Sequence, residues 1–172
     1  MKEPDSEKSL SRRTLTPGET LDHCYHEAGH AVAAIRLGLG LSEKVEVIPE
    51  GEGWRERGMQ AIWFGRTSTE RSGSADEKAV FLLAGIAAER RHSPQAQTTG
   101  HWIGDQNAHF QLFPDGNHHV KHWIETQQLL DRNWRAVEAV ALALLHAEHF
   151  YLAPDDVVSV VNKYPPAPEH ER

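Results

Sequence analysis

"TPGETLDHCYHEAGHAVAAIRL", residues 16–37, reads as one helix, and the rest of the chain organises around it. Thr16 followed by Pro17 supplies a cap and a first-turn proline. Leu21, Tyr25, Ala28, Val32 and Ile35 recur at steps of three and four, which makes a buried stripe. "GLGL" at 38–41 ends the helix. His26 and His30 stand four residues apart, so both imidazoles project from one face toward one point, with Glu27 beside them. In a chain with 12 histidines among 172 residues, a His-Glu-x-x-His pattern arises from composition alone at roughly one in ten. Support therefore has to come from elsewhere in the chain.

Composition narrows the class. Hydrophobic residues at 39% and charged residues at 25% are ordinary for a soluble globular protein. The length suits a single domain with a proper core, expected over residues 16–162, with mobile tails at 1–15 and 163–172. A formal net charge of -7, with no basic block beyond "RR" at 12–13 and 90–91, argues against nucleic acid as a partner. The only cysteine, Cys24, excludes an intrachain disulfide and a cysteine-rich metal knuckle. It lies roughly opposite His26 on the helix and reads as a buried, inert thiol. The longest apolar run, "AVALALL" at 139–145, is far shorter than the roughly 20 residues that span a bilayer. The first residues lack the apolar centre of a signal peptide. A cytoplasmic protein with no membrane partner is expected.

Outward from the first helix, "KVEVIP" (44–49) and "GMQAIWF" (58–64) read as two strands of an antiparallel hairpin joined by the loop "EGEGWRER". Ser74 with Glu77 forms a capping box that opens a second helix over 75–92. Its apolar content runs nearly all the way round, which predicts the central buried helix. An extended loop follows, then a short helix over 105–112 and a turn at "PDGN" (114–117). Residues 118–150 read as strongly helical, with an interruption expected near Asp131, whose side chain can cap a new segment. "APDDVVSVV" makes a last short helix. No internal repeat and no Gly-x-Ser-x-Gly elbow is present, which removes the usual serine-hydrolase reading.

Two neutral imidazoles from one helical turn form a preorganised half-site for zinc. A glutamate beside them can take a proton from a zinc-activated water and later hand one to a leaving amine. Gly29 implies close approach of a neighbouring strand or a substrate, because glycine within a helix costs about 1 kcal/mol relative to alanine. A catalytic zinc has three protein ligands and one open position. The extended motif with a third histidine ten positions after the first is excluded, because Ala33 and Arg36 stand where it needs glycine and histidine. The third ligand must come from further away. Glu89, Asp105 and histidines 101, 109, 118, 119 and 122 are all chemically competent. Asp105 is favoured by its place at a predicted helix start, and Glu89 suits a carboxylate that orients a ligand imidazole. The run at 118, 119 and 122 reads as a solvated helix face rather than a second metal site.

Three blocks in order, "HEAGHAV" (26–32), "LLAGIAAER" (82–90) and "TTGHWIGDQNA" (98–108), resemble the peptidase domain of FtsH-type, AAA+-linked zinc proteases. The resemblance covers most of residues 16–160, though only these blocks are specific. It implies a mainly α (α+β), zincin-like helical domain with a small antiparallel hairpin. It also implies His26, His30 and Asp105 as Zn2+ ligands and Glu27 as general base; the family's aspartate lies some seventy-odd residues after the second histidine, and Asp105 lies 75 after His30. The chain departs from the family in "GHWIGD", one residue longer than the pattern, and in Gln106 where an aliphatic residue is usual. Neither an ATPase module nor a membrane helix is expected beside the motif, a further departure from the family.

The expected function is therefore an ATP-independent metalloendopeptidase that hydrolyses short peptides or unfolded protein segments. Its rival is a weak or inactive module that keeps the peptidase fold for metal binding or interaction. A zinc hydrolase acting on small amides is a third class. Oligomeric state stays open.

Overall fold

The computed structural model describes residues 14–56, 59–95, 102–116 and 118–168, with the side chains of 52–63 and 102 outside the description. Helix α1 (Pro17–Arg36) begins at Thr16, whose hydroxyl accepts from the Glu19 N–H while the Glu19 carboxylate accepts from the Thr16 N–H. This reciprocal box satisfies two donors that a helix start leaves open. Helix α2 (Ala75–His92) begins with the same arrangement between Ser74 and Glu77. Helices α3 (Trp102–Leu112), α4 (His119–His146) and α5 (Pro154–Asn162) complete the helical part.

Strands β1 (Val45–Glu56), β2 (Met59–Arg66) and β3 (Tyr151–Leu152) form an antiparallel sheet in the order β2-β1-β3. The fold is thus mainly helical with one small antiparallel sheet. The hairpin runs further than the sequence implies, since residues 50–56, expected as loop, continue β1. A bulge between Val47 and Glu52 absorbs the irregular stretch, so pairing resumes beyond it instead of ending. The tip of the turn at 57–58 lies outside the described residues.

The core is where α1, α2 and α4 meet. Ala28, Ala31 and Val32 of α1 pack with Val80, Ala84 and Ala88 of α2 and with Leu130, Val137, Val140 and Leu144 of α4. Each fully buried valine or leucine contributes roughly 1.5–3 kcal/mol. Val45, Val47 and Phe64 bring the sheet onto this core, and Val157 and Val161 bring α5. Leu15 also joins it, with its N–H on the Pro49 carbonyl, so this residue of the expected N-terminal tail packs on the core.

Gly29 has a definite role here. A Cβ at that position would overlap the Ala84 carbonyl and the Ala88 methyl. The close neighbour is therefore helix α2, not a strand. α4 runs unbroken past Asp131, which pairs with Arg91 across the α2–α4 surface instead of capping a new segment.

Candidate metal centre

His26 and His30 lie on the α1 face that α2 covers, and both are almost fully buried. The His30 Nδ1–H donates to the Phe81 carbonyl at 2.8 Å. A carbonyl only accepts, so Nδ1 carries a proton and Nε2 is the nitrogen left to hold a second proton or a metal ion. The His26 Nδ1–H donates to the buried Glu89 carboxylate at 3.1 Å, which leaves its Nε2 in the same state. Each ligand-type ring thus has one nitrogen occupied by a backing acceptor and the other aimed inward.

The inward nitrogens meet the carboxylate of Asp105, in the first turn of α3. His26 Nε2 and His30 Nε2 lie 3.1 Å apart, and Asp105 Oδ2 lies 3.1 Å from the first and 3.2 Å from the second. Three electron-pair donors so close need positive charge between them. A tetrahedral ion bound at roughly 2.0–2.1 Å holds its donors about 3.3 Å apart, so this triangle fits a first-row divalent cation and leaves a fourth position open. The Asp105 side chain is about 25% exposed, while both imidazoles are almost fully buried.

The electrostatics point the same way. Burial opposes charge on His26, but hydrogen bonds with Asp105 and Glu89 outweigh it and push the imidazole up to about 10. Burial likewise opposes charge on Asp105, and the cationic field of His30 with hydrogen bonds from both histidines overrides it. The carboxyl is held well below the usual range. A proton and a divalent cation compete for the same lone pairs.

Helix α2 passes against the inward Nε2 ends of both imidazoles at Gly85, where a Cβ would overlap both Nε2 atoms. Glu27, also buried, turns toward the end of β2, where Thr67 donates to its Oε2 at 2.6 Å. The structure therefore gathers His26, His30 and Asp105 at one point. Glu89 stands behind His26 on its Nδ1 side, not among the three donors, and its carboxylate is spent on His26.

The remaining histidines lie elsewhere. His101 is outside the described residues, and His118 is exposed. His122, expected on a solvated face, is fully buried. Its Nε2–H donates to Asp76 at 2.8 Å and its Nδ1 accepts from His109 at 3.0 Å. Cys24 is buried too, and burial together with the Glu27 charge pushes its thiol up to about 12, which removes it as a nucleophile.

Gly85 and Thr67 are among the neighbours that sequence reasoning missed. A glycine in the middle of the most apolar helix was the only signal for the first, and nothing local signals the second. Neither a scan against protein-family models nor a search of curated proteins found a match to this chain. Among the described residues, no helix is long and apolar enough to cross a membrane.

Proposed function

We propose that this chain is a zinc metallopeptidase with an FtsH-type peptidase fold, acting on short peptides or unstructured polypeptide segments. One observation carries the reading: two imidazole Nε2 atoms and a carboxylate oxygen converge within 3.2 Å while both Nδ1 atoms are already bonded. The resemblance of the three sequence blocks adds to it. Held by His26, His30 and Asp105, Zn2+ would supply a Lewis acid for the scissile carbonyl and acidify a water.

The chain's own residues do the rest. Glu27 follows His26 on the same helix and is held in place by Thr67, so its carboxylate is available to take a proton from the attacking water. It then returns that proton to the leaving amine. Glu89 and the Phe81 carbonyl fix both imidazoles in the Nδ1–H tautomer. β2 ends beside Glu27 and is an edge strand of the sheet. Its outer N–H and C=O groups suit an extended peptide added as a further strand, which holds backbone without demanding a particular side chain.

The test uses two variants. His26→Ala should lose bound zinc and casein cleavage together. Glu27→Gln should keep zinc, measured by elemental analysis, and lose cleavage by about a hundredfold or more. Equal cleavage by Glu27→Gln and wild type would sink the mechanism.

A further inference from the structure

A glutamate side chain has three torsions, and a general base is effective only when one oxygen faces the proton it takes. Glu27 sits in the middle of α1, so its own helix does not fix where the carboxylate points. Two features at the end of β2 do. The Thr67 hydroxyl lies 2.6 Å from Glu27 Oε2, a short, charge-assisted hydrogen bond. Its distance to the Glu27 carbonyl is 3.4 Å, too long to draw the single hydroxyl proton away. On the other side, Gly65 leaves so little room that a Cβ would overlap Glu27 Oε1. The carboxylate is thus seated between a hydroxyl and a bare Cα.

We propose that Thr67 is a positioning residue for Glu27: its hydroxyl engages Oε2 and leaves Oε1 to accept the proton of the attacking water. This rests on the peptidase reading above. Thr67 directly follows β2, the edge strand proposed above to take the substrate backbone, so its hydroxyl also joins the general base to that strand. The competing view is that Thr67 only fastens the sheet to α1, contributing stability without directing the carboxylate.

Thr67→Val and Thr67→Ser separate the two. Valine keeps the branched shape that suits a strand end and removes the donor. Serine keeps the donor. In zinc-loaded protein, Thr67→Val should lower kcat by about tenfold to a hundredfold, with KM and zinc content within about twofold of wild type, and Thr67→Ser should recover most of kcat. In zinc-free protein, Thr67→Val should lower the urea midpoint in the wild-type background and leave it unmoved in a Glu27→Ala background, because the lost partner is Glu27 itself. Wild-type kcat in Thr67→Val, a change confined to KM, or equal midpoint shifts in both backgrounds would each overturn the proposal. If Glu27→Gln cleaves as fast as wild type, the peptidase reading falls and this inference with it. If Glu27→Gln is dead while Thr67→Val is fully active, this inference alone falls.

Discussion

Gly85 has no reactive group, yet the site depends on what it lacks. Alanine is about 1 kcal/mol better than glycine inside a helix, so Gly85→Ala should preserve α2 as a helix. Its methyl, however, would overlap the two Nε2 atoms that face the metal position. Zinc titration calorimetry should report binding weakened by about a hundredfold, with the helical circular dichroism signal retained. Wild-type affinity would mean that the imidazoles do not depend on the α2 backbone for their placement. The same residue marks the limit of reading a sequence. His26, Glu27 and His30 were legible because four residues make one helical turn, which is a local rule. Nothing local joins position 105 to position 26, and only the family resemblance and a helix-start argument ranked Asp105 above Glu89. Gly85 and Thr67 act through what they touch across the fold, and no spacing within one chain reports that.

Helix α3 delivers Asp105, and among its described side chains only His109, one turn later, is fully buried. His109 donates from Nε2 to His122, which donates in turn to Asp76 at the start of α2. Burial, then the neighbouring charges of His119 and His122, hold the His109 imidazole below its ordinary value. The folded state therefore binds this proton less readily than the unfolded chain. The contribution to stability is present above the ordinary histidine value of about 6.5 and is lost as pH falls through the lowered folded value. Glutamine at 109 can still donate to His122 but does not titrate. In zinc-free protein, the loss of stability between pH 7.5 and 5.5, followed by urea unfolding, should be smaller in His109→Gln than in wild type. An unchanged pH dependence would show that His109 is not the acid-sensitive anchor of α3. This burial was hidden in the sequence because "NHHVKH" reads as polar, and only contact with α2 and α3 turns His122 inward. The continuity of α4 was more accessible. Leu129, Leu130, Asn133 and Ala136 keep the spacing of a buried stripe through Asp131, and that periodicity outweighs one capping-type residue. β3 is two residues long and exists only as a partner of β1, so no run of β-forming residues announces it.

The molecule as a whole is closed by long-range ties, and the position at 36 illustrates how. Where a compact three-histidine motif would place a ligand, Arg36 donates to Asn133 Oδ1 at 2.7 Å and to the carbonyls of Val161 and Tyr164 at 3.1 and 2.7 Å. This end of α1 is committed to holding α4 and α5, and the third donor of the triangle comes instead from α3, 75 residues beyond His30. A bound cation therefore ties the first helix to the middle of the chain, across a closure that the unfolded state cannot maintain. Binding only to the folded form adds about 2.7 kcal/mol at a free concentration one hundred times Kd. For a domain of this size each kcal/mol raises the unfolding midpoint by roughly 2–4 °C. Zinc should thus raise Tm by about 5–10 °C in scanning calorimetry, a chelator should reverse the shift, and His26→Ala should abolish it. An equal shift in His26→Ala would place the stabilising ion somewhere other than the His26, His30 and Asp105 triangle, and no shift in wild type would leave α1 and α3 joined by protein contacts alone.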